Sequence, residues 1–362
     1  MLDYKKTYTL PFKFVIPSYI DEFFKKRSIT KSWVKYIRRY LYILFKRQQS
    51  LEIFKISDKH NFILWINFSA PSLGDSLMDL SSRILLTNRK VDLVTDKKNA
   101  NLYKNDLVFK SVFTNKNQVN SSDYDLVIID SFGTNSMNIK ANIAPLVNYI
   151  GMFGFFNGPE VNRVLFNFHR LNQLLGYSKD EIEINSIAKC SLEVSSADKS
   201  VVLNSNLPTN YIAISLGGEW KYRTYNNWQY IIEELIADNK NLNIVLLGSR
   251  NATVITKKIK NKYHHPNIID CVNQFTFNQT AEIINRAKIL LCCDGGLMHA
   301  ANSVNTPIVA LFAKLSSEMQ LTEAITAFSM FDEYDVNNIS TEEVILNYKK
   351  LAKLVYSHHQ DE

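Results

Sequence analysis

Short apolar runs that end in glycine or aspartate alternate with helix-spaced segments along most of the chain. FILWINF (Phe62–Phe68) reads as a buried strand. SLGDSLMDLSSRILLTN then makes a turn and a helix carrying Leu77, Leu80, Ile84 and Leu85. VDLVT and YDLVIID (Tyr124–Asp130) are further strands. A second series begins at Tyr211, after the polar stretch Ser195–Pro208. YIAISLGG is a strand and glycine turn, NWQYIIEELIAD a helix, LNIVLLGS a strand and turn, TAEIINRA a helix, KILLCCD a strand, GLMHAANSV a helix and PIVALF a strand. Alternation of this kind predicts an α/β fold: parallel sheets with helices on both faces, in two Rossmann-like halves facing each other across a cleft. The Gly or Asp positions follow strand carboxyl ends, where open α/β sheets bind ligands.

Ahead of the first strand lies FFKKRSITKSWVKYIRRYLYILFKRQQ (Phe23–Gln49). Trp33, Ile37, Leu41 and Leu44 recur at helical spacing, and Lys35, Arg38, Arg39 and Lys46 supply charge. Two readings stand: a helix packed on the first domain with a solvated basic face, and an interfacial helix on an anionic membrane surface. Nucleic acid ranks below both and is not expected, because no recognition motif accompanies the basic residues. NYIGMFGFFNGP (Asn148–Pro159) is open between a mobile acceptor loop and core packing. The tail TEEVILNYKKLAKLVY reads as an amphipathic helix capped by Thr341.

With 362 residues, 46% hydrophobic and 21% charged, the chain can bury the cores of two domains. Its 42 Lys and Arg against 35 Asp and Glu give +7, which suits an anionic partner without choosing one. Cys190, Cys271, Cys292 and Cys293 are scattered or buried in an apolar run, as reduced thiols of a cytoplasmic protein would be. The start, MLDYKKTYTLPF, lacks the apolar stretch of a signal peptide, and no segment has the roughly 18 apolar residues of a membrane span. Neither G-x-x-x-x-G-K-[ST] nor G-x-G-x-x-G follows a strand, which argues against a P-loop NTPase and a dinucleotide dehydrogenase.

CDGGLMHAANSVNTPIVALF (Cys293–Phe312) carries the chemistry: an apolar strand ends in Asp294-Gly295-Gly296 and enters a helix whose free amides suit a phosphate. This stretch resembles the carboxyl-domain signature of glycosyltransferase family 9, the ADP-heptose:lipopolysaccharide heptosyltransferases. SLGDSLMDLSSRILL is similar to the family's amino-terminal Gly-Asp motif, GGEWKYRTYNNWQYIIEEL to its basic-aromatic phosphate segment, and IVLLGS to the strand and turn that follow. The resemblance runs in order from Phe62 to Phe312 and leaves the arm before Asn61 without a counterpart.

The resemblance implies a GT-B enzyme that transfers a sugar with inversion and needs no metal or other cofactor beyond its nucleotide-sugar donor. It implies Asp75 as general base and Arg223 on the donor diphosphate. Gly217 and Gly218, Gly248, the turn Asp294, Gly295, Gly296, Leu297 with His299, and Phe275 at the nucleobase complete the donor site. The chemistry is coherent, since a carboxylate can take the acceptor proton while a guanidinium and helix amides stabilise the leaving diphosphate. The rivals are Asp75 and Asp294 as helix caps, Lys221 in place of Arg223, His299 as a structural residue and Phe275 as core.

Departures from the pattern bear on the donor. RTYN replaces a Lys-x-Trp-Pro type sequence, Ala313 followed by KLSSEMQ replaces a Gly-Pro-Thr type turn, and Ser249, Arg250 and Asn251 stand where an acidic ribose contact is often found. The expected division is residues 1–60 as basic extension, 61–200 as acceptor domain, 201–340 as nucleotide-sugar domain and 341–362 as C-terminal helix. The expected function is transfer of a sugar, heptose from an ADP-linked donor, to a lipopolysaccharide-core or other lipid-linked glycan at the inner face of a bacterial inner membrane. The alternatives are a GT-B transferase using another nucleotide sugar for capsule or surface glycan, and a non-catalytic nucleotide-sugar-binding scaffold.

Overall fold

The computed structural model describes residues 18–68 and 70–357, apart from the side chains of Arg27 and Ser28. The segment MLDYKKTYTLPF, the rest of the first 17 residues of the expected extension and the last five of the expected tail lie outside them. The chain divides into two compact units, Met1–Ala188 and Lys189–Glu362.

The first unit contains α1 (Ser18–Phe45), β1 (Phe62–Asn67), α2 (Leu73–Asp79), β2 (Lys90–Thr95), α3 (Lys97–Tyr103), β3 (Phe109–Phe113), β4 (Leu126–Ile129), α4 (Thr134–Ile143), β5 (Tyr149–Gly151), α5 (Arg163–Leu174) and α6 (Glu181–Ile187). Its five strands are all parallel, in the order β3-β2-β1-β4-β5. Trp65 of β1 lies between Leu93 and Ile128, and Ile63 through Ile66 are buried. A strand covered on both faces has no polar side, hence the unbroken apolar runs in the sequence. Each fully buried Ile or Leu contributes roughly 1.5–3 kcal/mol relative to exposure.

The second unit contains α7 (Ser196–Leu203), β6 (Ile212–Ser215), α8 (Trp228–Asp238), β7 (Ile244–Leu247), α9 (Thr253–Lys262), β8 (Ile268–Asp270), α10 (Phe277–Arg286), β9 (Leu290–Cys293), α11 (Gly296–Val304), β10 (Ile308–Ala313), β11 (Ala327–Asp332) and α12 (Thr341–Ser357). Its six parallel strands run β11-β10-β9-β6-β7-β8. In both units the chain starts mid-sheet, winds outward one way, then crosses back and winds the other. The reversal falls between β1 and β4 in the first unit, and between β6 and β9 in the second.

Local chemistry explains the helix ends. Thr276 and Gln279 form a reciprocal capping box at the start of α10. Asn305, left-handed at φ 64°, stops α11 just before Thr306 and Pro307. Val344, Tyr348 and Leu351 of α12 join the core of the second unit, and Glu343 N bonds Ser340 Oγ at 3.1 Å, so Ser340 caps this helix instead of Thr341. The four cysteines are buried and form no disulfide, and burial first of all pushes the Cys293 thiol up to about 12.

Two elements differ from the sequence reading, and in a third, the segment 148–159, core packing is the alternative realised. The helix after β1 ends at Asp79, and Ser81–Leu86 continues as a 3-10 turn. The segment 148–159 is packed: β5 pairs with β4, Phe153 stacks on Phe166 at 4.5 Å, and Phe155 meets Phe132 at 4.8 Å. The largest difference is in α1. Its packed side is Ser32, Tyr36, Arg39 and Ile43, while Ile37, Leu41 and Leu44 face solvent. Arg39, read as part of a solvated basic face, is buried and donates to the carbonyls of Phe155 (3.4 Å) and Phe156 (3.1 Å). Those carbonyls sit in a loop with no strand partner for them, so a guanidinium with five donors satisfies them where an aliphatic side chain would not.

Candidate active site

At the switch point of the first unit, β1 ends in Asn67 and the chain turns into α2. Ser72 is the N-cap: its hydroxyl accepts from Asp75 N at 3.1 Å and donates to Asp75 Oδ2 at 2.5 Å. Asp75 is therefore the third residue of the helix, and the cap role that competed for it belongs to Ser72. Its other oxygen, Oδ1, faces Arg163 Nη1 at 2.5 Å. The same guanidinium reaches back one turn to Asp79, with Nη2 2.6 Å from Oδ1 and 2.7 Å from Oδ2. Asp75 and Asp79 lie four residues apart, which puts both on one helix face.

The two carboxylates differ in their surroundings. The Asp75 side chain is 24% exposed and can meet a substrate, whereas that of Asp79 is 2% exposed. Burial raises the Asp79 carboxyl to about 7; Arg163 pulls it down, while Asp130 at the end of β4 and Asp75 push it up further. Arg163 sits in the opposite field: burial pulls its pKa down, but Asp79 and Asp75 outweigh that and hold it above the usual value. Two carboxylates share one guanidinium, with Asp130 within electrostatic reach of Asp79, and the cluster is negative when all are ionised. Among the described residues no group of three or more His, Cys, Asp or Glu side chains is placed to hold a metal ion.

Sequence reading singled out Asp75 and missed both partners. Asp79 was legible from its four-residue spacing. Arg163 was not, being 88 residues away and the first residue of α5, where Asn162 caps the helix by accepting from Leu165 N at 3.1 Å.

The second unit gathers the other expected residues at the carboxyl ends of its strands. After β6, Gly217 adopts φ +79°, and a Cβ there would lie 2.9 Å from Asn251 Oδ1. A Cβ on Gly218 would meet Arg223 O at 2.6 Å and Thr224 Oγ1 at 2.8 Å. Gly248, at φ +153° after β7, would meet Leu216 O at 2.7 Å. Asn251 Nδ2 donates to Gly218 O at 2.8 Å and ties the two turns together. These glycines are required by close approach of backbone to backbone.

Gly295 and Gly296 are a different case. The sequence suggests a tight turn that needs glycine, but Gly295 is the N-cap of α11 with φ 166°, extended backbone open to any residue. A Cβ on Gly295 would find nothing closer than Cys293 O at 4.0 Å, and one on Gly296 only Phe277 Cε2 at 3.6 Å. What glycine supplies here is bare amides in open space at the positive end of a helix. Asp294 directly precedes Gly295; it is buried, and its Oδ2 lies 3.0 Å from Arg223 Nη1.

Arg223 and Lys221 belong to one 3-10 turn, Lys221–Arg223, with Lys221 exposed and Arg223 half-buried. The Arg223 guanidinium lies 5.5 Å from the centre of the Tyr222 ring, and Lys314 Nζ lies 3.9 Å from the same ring. Lys314, left-handed at φ 67° after β10, thus brings a third cation beside Arg223. Sequence comparison registered this position only as a departure from a Gly-Pro-Thr type turn. Leu297 is half-buried in the first turn of α11 and His299 is buried behind it; Phe275 is half-buried just before α10.

The chain's residues 158–341 match the family model of glycosyltransferase family 9 (heptosyltransferase). No curated protein sequence matches the chain. Among solved structures, a family 9 glycosyl transferase from Veillonella parvula DSM 2008 is similar with a TM-score of 0.65 at 14% identity, covering 80% of this chain and 97% of that one. The ADP-heptose LPS heptosyltransferase II of E. coli gives a TM-score of 0.62 at 16% identity (82% and 99% covered). The E. coli heptosyltransferase WaaC with ADP gives 0.62 at 15% identity (80% and 99% covered). At these identities the likeness is one of fold. The family match spans just over half of the sequence, and with two switch-point clusters on two Rossmann-like units it leads to one conclusion: the chain is a GT-B glycosyltransferase and belongs to family 9, the heptosyltransferase family.

Proposed function

We propose that the chain transfers a heptose, with inversion, from an ADP-linked donor to a glycan carried on a lipid, of the lipopolysaccharide-core type. The observation that carries this reading is the opposite sign of the two switch points. The first unit offers a partly exposed carboxylate, Asp75, and the second offers Arg223, Lys221, Lys314 and the uncovered amides of Gly296 and Leu297.

In this mechanism the acceptor hydroxyl attacks the anomeric carbon as its proton passes to Asp75. Arg163 holds Asp75 in place through Oδ1, and Ser72 through Oδ2, so the lone pair that takes the proton is already oriented. Charge builds on the leaving diphosphate, where Arg223 can present two parallel N–H groups and α11 its positive end. Asp294 turns Arg223 and shares its charge until the diphosphate arrives. The expected roles of Gly217, Gly218 and Gly248 are to keep the turns low beneath the nucleotide, and that of Phe275 is to face the base.

An ADP-linked donor is supported by family membership and by the similar E. coli enzymes, an ADP-heptose LPS heptosyltransferase and WaaC with ADP. A thermal-shift series with ADP, UDP, GDP and their sugars tests it. A nucleotide at 100 times its dissociation constant stabilises by about 2.7 kcal/mol. ADP should give the largest shift; a larger one with UDP or GDP would overturn the donor while leaving a transferase. No nucleotide shift at all, with no sugar transferred, would remove the enzyme reading.

A further inference from the structure

One side of α1 is packed and the other is apolar and open. One line of the helix, Ser32, Tyr36, Arg39 and Ile43, packs on the first unit. About half a revolution away, at roughly 100° per residue, lies a second line of Val34, Ile37, Leu41 and Phe45. Among the described residues nothing covers it: Val34 is 62% exposed, Ile37 49%, Leu41 57% and Phe45 79%. A shallow groove lined by Val34, Ile37, Arg38, Leu41, Tyr42 and Phe45 follows this line, and another lined by Thr30, Lys31, Val34, Lys35 and Arg38 adjoins it. A contiguous apolar strip rimmed by polar residues marks an interaction surface.

Charge decides the occupant. The helix carries seven basic residues against Asp21 and Glu22, and Lys31, Lys35 and Arg38 border the apolar line. A second copy on this face would set those cations against their own kind. Nucleic acid would answer the charge but leave four large apolar side chains in water. An anionic bilayer answers both, with acyl chains for the apolar line and phosphates for the rim. At 28 residues α1 is about 42 Å long, and no described helix is long and apolar enough to cross a membrane.

We propose that the outward face of α1 is a docking surface for an anionic lipid bilayer, with Val34, Ile37, Leu41 and Phe45 entering the headgroup boundary. The inward face transmits this position to the site. The Tyr36 ring packs at a tilt against Phe155, 4.9 Å between centres, Arg39 holds the Phe155 and Phe156 carbonyls, and Asn157 Nδ2 donates to Ser32 O at 3.3 Å. That loop leads into α5, whose first residue is Arg163, the partner of Asp75. The inference stands whichever donor or acceptor the enzyme uses.

Co-sedimentation of the full chain with phosphatidylcholine vesicles, with and without phosphatidylglycerol, tests it. Binding should require phosphatidylglycerol and weaken as salt is raised. Ile37→Ser/Leu41→Ser/Phe45→Ser should lose binding about a hundredfold or more, with nucleotide-induced thermal shifts unchanged because these side chains touch solvent. Should that variant fail to fold, Lys31→Gln/Lys35→Gln/Arg38→Gln carries the test, with about a fivefold loss per cation and a flatter salt response. Failure of the unaltered chain to bind the anionic vesicles would overturn the proposal, as would equal binding by the serine variant. A dimer in sedimentation that the serine variant abolishes, with no vesicle binding, would assign the face to a second copy; oligonucleotide binding unaffected by the serines would assign the rim to nucleic acid.

Discussion

The two units share a strand order and a turning point, yet their turning points carry opposite charge. Between β1 and β4, Asp75 and Asp79 share Arg163, and Asp130 acts on Asp79. Between β6 and β9, Arg223, Lys221 and Lys314 outnumber Asp294. Each cluster contains one ion of the minority sign, which holds the others in geometry without cancelling them. A parallel sheet fixes where a ligand sits, because its strands end together and its helices begin there. Which ligand it takes is left to a few side chains, and under the proposed mechanism each unit meets a different requirement of the transfer.

That division predicts separable losses. Asp75→Asn keeps the volume and removes the basic oxygen, so turnover should fall by roughly a hundredfold or more while ADP affinity, read by calorimetry, stays level. An unchanged turnover would break the comparison at its negative end. Arg223→Ala should weaken ADP about ten- to a hundredfold and slow transfer with it, the range of a charge-assisted hydrogen bond. Arg223→Lys should recover only part, since an ammonium cannot bond two oxygens in parallel.

The glycines sharpen the positive end. Gly218→Ala places a Cβ 2.6 Å from Arg223 O and should cost about 1–3 kcal/mol in unfolding experiments. Gly295→Ala meets nothing nearer than 4.0 Å, so stability should hold while nucleotide binding falls. Loss of stability in Gly295→Ala with binding intact would make that turn structural.

Asp79 tests the negative end by pH. Its carboxyl is raised from 3.8 to about 7, so between those values the folded protein keeps a proton that the unfolded chain has lost. Stability from this group is therefore present at low pH and declines as pH rises through the window, by up to about 1.4 kcal/mol per unit. Asp79→Asn should flatten that slope in denaturant titrations; an unaltered slope would place the proton elsewhere. The smallest effect is expected for Lys314→Ala, about fivefold or less on ADP affinity and suppressed by salt, because Lys314 is exposed. A larger loss than for Arg223→Ala would move the centre of the phosphate site onto β10.

The apolar runs and the glycine or aspartate that ends them determined the two parallel sheets, the central strands and the places where Asp75 and Asp294 stand. These features depend on neighbours in sequence, and a strand buried on both faces announces itself by having no polar alternation. β3, β5, β8 and β11 were not legible: all four lie at sheet edges, and β3, buried only at Phe109, has no continuous apolar run. Tertiary structure decided the rest. Arg163 meets Asp75 across 88 residues, Lys314 meets Tyr222 because β10 lies beside β9, and Arg39 is buried while Ile37 and Leu41 are exposed. Helical spacing ranks residues into stripes but does not say which stripe turns inward. In α1 the loop carbonyls of Phe155 and Phe156 needed a donor, and that requirement turned Arg39 inward and left the apolar stripe facing out.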